Sequence, residues 1–153
     1  MPDPSRRRRL YEVYRDRVSV ICQLNGFATE AGRLVVVGEV PNLGPDDPDD
    51  AIAVVGGPDD WKQQGKAFFV AWPITIWAVT KADRTAPYLA LEDTLADITR
   101  AFELEDMTLG GLVYAPVRRL SPRLTLPRED GSLVVGVGVT YANDFKEGWG
   151  APE

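Results

Sequence analysis

The chain has 153 residues, 44% hydrophobic and 26% charged, a size at which a single domain buries roughly two thirds of the surface its unfolded chain exposes. Its net charge is −6, with no histidine and one cysteine, Cys22, which excludes imidazole-based triads, the common zinc sites and any intrachain disulfide. No apolar run approaches the roughly 18 to 20 residues of a membrane helix, and the charged residues between Tyr11 and Arg17 interrupt what would be the apolar stretch of a secretory signal.

Charge is unevenly placed. The first 17 residues hold six arginines against three acids, and the rest of the chain 11 basic residues against 20 acidic. Residues 1–9 read as a flexible basic arm. Arg6, Arg7, Arg8 and Arg9 fall at the positive end of a helix dipole, where cations are mildly unfavourable, so helix stability does not explain them. They suit contact with an acidic partner, a neighbouring subunit or nucleic acid, or else a solvated, frayed end. From Arg6 to Leu24 the spacing of Leu10, Tyr14, Val18 and Ile21 predicts a helix with one buried stripe, stopped by Asn25-Gly26.

Arg33 to Val40 predicts a strand, and Pro41 to Asp50, with three prolines and four aspartates, a loop. Its carboxylates lack the glycine and glutamate spacing of a calcium loop, so a solvated acidic loop is expected and no metal site. Ala51 to Val55 is a short apolar run ended by Gly56-Gly57-Pro58, glycines that serve a turn, because no Lys-Ser/Thr ending of a phosphate loop follows. Asp59-Asp60 is a second acidic turn leading into Trp61.

Phe68 to Val79 is the most apolar segment. As a strand it directs Phe68, Val70, Trp72, Ile74, Ile76 and Ala78 one way and Phe69, Ala71, Pro73, Thr75, Trp77 and Val79 the other. Both sets are apolar, which a sheet covered on both faces explains, and so does a face buried by another subunit, with Phe69 and Trp77 as contact residues.

From Thr85 to Asp106 the large residues Tyr88, Leu91, Leu95, Ile98 and Phe102 recur at gaps of three and four, with Glu92, Asp93, Asp97, Arg100 and Glu103 opposite. This predicts a surface helix with one docking face and Pro87 in its first turn. Gly110-Gly111 ends the pattern. Leu112 to Leu126 reads as a strand whose Pro116 and Pro122 place it at an edge or a bulge, Asp130-Gly131 as a hairpin turn, and Leu133 to Tyr141 as a strand with one bulky and one bare face. The remainder, residues 142–153, reads as an aromatic tail whose Phe145 and Trp149 would dock on a groove of this domain or of a neighbour, or else stay disordered. Helices and strands in sequence rather than in alternation give an α+β single domain over 1–153, two helices packed on one face of a mostly antiparallel sheet.

This layout resembles the tail terminators (tail-completion, minor tail protein U-like proteins) of long-tailed bacteriophages. The resemblance is carried by the first helix, the long central strand before a second helix, the Thr108-Leu109-Gly110-Gly111-Leu112 turn, and the glycine-spaced strand ending at Thr140-Tyr141. It implies a virion protein without enzymatic activity, catalytic residues or cofactors. The protein would be found in the host cytoplasm during assembly. It would form a homohexameric ring at the head-proximal end of the tail tube, contact the tail tube protein and the head-tail connector or neck protein, and let DNA pass through its lumen. An acidic lumen would let DNA slide. The alternatives are another neck or head-completion protein, an enzyme holding Mg²⁺ on Asp46, Asp47, Asp49, Asp50, Asp59 and Asp60, and a monomeric host interaction module with no phage connection.

Overall fold

The computed structural model describes residues 4–125 and 134–148. Helix α1 (Arg6–Ser19) precedes strands β1 (Val35–Val37), β2 (Asp50–Gly56), β3 (Asp60–Gln64) and β4 (Ala67–Lys81); helix α2 (Pro87–Glu103) and strands β5 (Arg118–Thr125) and β6 (Val134–Gly148) follow. The six strands form one sheet in the order β1-β2-β4-β6-β5, with β3 extending the β2 side of β4. Only β1 and β2 run parallel. Both helices bury their stripes on the same face, so the fold is α+β. Among the described residues no helix is long and apolar enough to cross a membrane.

Ser5 starts α1 by accepting a hydrogen bond from the Arg8 N–H at 3.3 Å. Leu10, Tyr14 and Val18 are buried as the spacing predicts. The helix ends at Ser19, five residues earlier than the sequence suggests. Here the Asn25 amide donates to the Val20 carbonyl at 2.8 Å, and Ile21 N–H reaches only to Val18 O, a three-residue turn that closes the helix. Ile21 stays in the core, whereas Leu24 is 94% exposed.

In α2, Pro87 occupies the first turn and Leu91, Leu95, Ile98 and Phe102 are buried. Two residues depart from the pattern. Tyr88 is 60% exposed: helical side chains lean toward the N-terminus, and a first-turn residue has no preceding turn to cover. Asp97, placed by its periodicity on the wet face, is buried. Its carboxylate accepts from Ala28 N–H at 3.2 Å and from Thr29 N–H and Oγ1 at 2.8 Å each, so it ties the segment after α1 to α2. Asp97→Ala strands these donors and is expected to cost about 2 kcal/mol, read as a lower urea midpoint with an unchanged m-value.

Strand β4 alternates as expected. Val70, Trp72, Ile74, Ile76 and Ala78 are buried under the helices, and Phe69, Ala71, Pro73, Thr75 and Trp77 are half-buried on the other face. Its 15 residues give β6 a partner along its whole length, from Val134 opposite Lys81 to Gly148 opposite Ala67. The chain therefore does not leave the sheet at Ala142, and residues 142–148 are strand rather than tail. Asn143, which made this stretch read as polar, is buried with its needs met: Tyr14 OH donates to its Oδ1 at 2.7 Å, and its Nδ2 donates to Trp72 O at 2.9 Å.

Strand β5 starts at Arg118, not Leu112. Residues 107–117 form turns in which Leu109, Gly110 and Gly111 all take positive φ, and Asp106 accepts from Thr108 and Gly110 N–H. β5 is an edge strand with two register shifts against β6, which suits the one proline it contains, Pro122; Pro116 lies in the turns before it. The Asp130-Gly131 turn lies outside the described residues. Strand β3, absent from the sequence reading, forms a hairpin with β4 over Gly65-Lys66, where Gly65 has φ +63°.

On the face away from the helices, Leu43 is buried against Ala51, Ala53, Val79 and Val134, with Val40 and Trp77 alongside. The acidic loop is thus anchored by an apolar residue and covers one end of that face.

Candidate interaction surfaces

Arg6 to Arg9 are the first turn of α1 rather than part of a flexible arm. Arg7 is held by its own chain: Nη2 bonds Asp59 Oδ2 at 2.6 Å, Nε bonds Glu147 Oε1 at 3.3 Å, and the guanidinium lies 5.1 Å from the Trp72 ring centroid and 5.5 Å from that of Phe145. The hydrogen bond from Arg7 holds the Asp59 carboxyl below its ordinary value. Arg6 donates to Lys146 O at 3.2 Å. Arg9 is half-buried, and Arg8 is the one of the four whose side chain stands largely in solvent, 72% exposed and bonded to Glu12 at 3.1 Å. The Arg6 and Arg7 contacts reach Phe145, Lys146 and Glu147 near the end of β6, so α1 latches a stretch of strand that reads as tail in the sequence.

Phe145, expected as an anchor on a tail, is fully buried in β6 beneath Arg6 and Arg7. It is a core residue and offers no surface to a partner. Trp149 lies outside the described residues.

Phe69 and Trp77 sit on the open sheet face, apart from one another. Trp77 lies over Gly138, where a Cβ would come within 2.8 Å of its ring. The bare side of β6 is therefore the bed of an indole. Phe69 meets Tyr114 edge to face at 6.1 Å, and these two with Trp61, Lys62, Asp60 and Arg118 border an open cleft of about 460 Å³. Trp61 and Tyr114 are 56% and 75% exposed. Neither stands out in the sequence as a contact residue, although the Gly65-Lys66 turn is a signal for the β3 hairpin that presents Trp61.

The acidic positions do not converge. Asp50 bonds Arg84 and Thr80, and Asp59 bonds Arg7. Asp47 accepts from Gly44 N–H at 2.7 Å, and Asp49 lies 3.5 Å from Lys81 Nζ. Among the described residues no three Cys, Asp or Glu side chains come together as a metal site. What the arrangement offers is surface: an open, partly apolar sheet face, an aromatic cleft at one end of it and an acidic loop at the other. No family model matches the chain, and none of the curated proteins matches its sequence.

Proposed function

We propose that this chain is a structural protein of a long-tailed phage, a tail terminator that forms a ring at the head-proximal end of the tail tube, ends tube polymerisation and joins the tail to the head. The observation that carries this reading is the sheet face opposite the helices. Phe69, Ala71, Pro73, Thr75 and Trp77 of β4 lie half-buried there, and α1 and α2 both pack on the other side. An apolar face of this kind, with α1 and α2 both packed on the other side, is suited to burial by other subunits. The edges of β3 and β5, which pair with no further strand among the described residues, and the exposed Trp61 and Tyr114 add contact surface of the type that interfaces use. The net charge of −6 suits a conduit past which DNA slides better than a clamp that holds it.

Light scattering on a size-exclusion column, over a concentration series and again with the tail tube protein, tests the assignment. The expected result is a hexamer, alone or on the tube. A chain that stays monomeric and ignores the tube sinks the reading.

A further inference from the structure

The exposed side of α1 and the acidic loop are oppositely charged and face away from each other. Helix α1 holds six arginines against Glu12 and Asp16, of which Arg8 and Arg15 are the exposed ones, while Pro41 to Asp50 holds four aspartates and no base. Arg8 and Arg15, two turns apart, border a shallow pocket with Tyr11, Glu12 and Val37 at the edge of β1. Both arginines are exposed, and their partners Glu12 and Asp16 lie on the same helix. In the loop, Asp46, Asp47 and Asp49 are exposed, and Leu43 fixes the loop on the open face of the sheet. Helix α1 packs on the opposite face through Leu10, Tyr14 and Val18. The two charged surfaces cannot meet within one chain.

We infer that the acidic loop of one copy seats against the Arg8 and Arg15 surface of α1 in the next copy, which makes the contact between subunits head-to-tail. Rotation between successive copies then closes such a contact into a ring. The inference rests on the ring reading and names its interface. Charge complementarity picks the occupant: α1 carries six arginines against two acids on an otherwise acidic chain, and the exposed aspartates of a second copy's loop can exchange for Glu12 and Asp16 as the partners of Arg8 and Arg15. Arg6 and Arg7 take no part, because they are held within the fold.

Two variants and their mixture test this, under whichever condition, alone or with the tube protein, assembles the wild type. One carries Arg8→Glu and Arg15→Glu. The other carries Asp46→Lys and Asp49→Lys, leaving Asp47 to hold its bond to Gly44. Each variant alone juxtaposes like charges and is expected to stay monomeric at ten times the concentration that assembles the wild type. An equimolar mixture is expected to regain the wild-type mass, since alternation around an even-numbered ring sets opposite charges at every contact. Misfolding would not be rescued by mixing. Variants that assemble like the wild type overturn the inference and leave the ring reading intact, whereas a wild type that never assembles removes both. Binding of a duplex oligonucleotide by the wild type, lost with Arg8→Glu and Arg15→Glu at unchanged mass, would assign these arginines to DNA and overturn the inference as well.

Discussion

Gly32→Ala is expected to destabilise the fold by about 3 kcal/mol, the upper end of what overpacking usually costs. For a chain of this length that lowers the melting temperature by about 6 to 12 °C. A Cβ at Gly32 would lie 2.6 Å from Ile21 O, 2.8 Å from Ile21 N and 2.8 Å from Val18 O. All three are backbone atoms in the last turn of α1 or just past it, and Gly32 N–H bonds that same Ile21 O at 2.9 Å. A side chain in the way can swing aside, but this backbone can move only by unseating Val18 and Ile21 from the core. Gly38→Ala makes the control. Its φ of +98° gives alanine a conformational penalty of about 1 to 2 kcal/mol, but nothing lies within 4 Å of the added methyl. Thermal melts of the two variants should therefore differ clearly, and a Gly32→Ala melt no lower than that of Gly38→Ala would show that the close approach is not tight.

Gly32 also marks the kind of feature that the sequence withholds. Periodicity located what periodicity encodes: the stripe of α2 from Leu91 to Phe102, the inward set of β4 from Val70 to Ala78, and the α1 residues Leu10, Tyr14 and Val18. It misplaced residues whose position is set by a partner distant in sequence. Asp97 reads as wet until the donors of Ala28 and Thr29 are known, and Asn143 reads as the start of a tail until Tyr14 and Trp72 meet it. Arg7 reads as a solvated cation until β6, prolonged to Gly148 by the length of β4, brings Phe145 and Glu147 beneath it. These errors are linked. Once β6 ends at Tyr141 in the reading, the arginines lose their partners and become an arm, and Phe145 becomes an anchor for another molecule.

The two candidate surface residues on β4 fared differently, because alternation alone assigns a strand residue to a face. Phe69 and Trp77 are on the face away from the helices, as the period of two places them. What alternation leaves out is how much of that face the chain covers by itself. Leu43 reaches back from a loop whose prolines and aspartates read as solvent-bound, and it shelters the Trp77 end. The Phe69 end is bordered by Tyr114, from turns that the sequence reading took for a strand. Partial cover of this kind leaves the middle of β4 and the aromatic cleft as the open part of that face among the described residues.

The buried tyrosines give the second large effect, a loss of stability in alkali. Tyr14 is fully buried, its hydroxyl donating to Asn143, and burial raises its pKa well above the ordinary value. Burial also raises Tyr141, whose hydroxyl bonds Glu103, though Arg119 beside it favours the phenolate and limits its share. The sign follows from proton counting. In the unfolded chain each tyrosine loses its proton near pH 10, while in the folded chain it keeps it, so the unfolded state binds fewer protons and stability falls as pH rises. For Tyr14 the slope approaches about 1.4 kcal/mol per pH unit above pH 10. Denaturant unfolding at pH 8, 10 and 11.5, with Tyr14→Phe alongside, isolates it. At pH 8 the variant is expected to be less stable by about 1 to 2 kcal/mol, because Asn143 Oδ1 loses its donor in the core. Phenylalanine has no proton to lose, so the deficit should shrink with rising pH and close or reverse by pH 11.5. Lysines and the other tyrosines titrate in both proteins and cancel in the difference. Parallel stability curves for the two proteins would mean that the Tyr14 hydroxyl reaches water in the folded state.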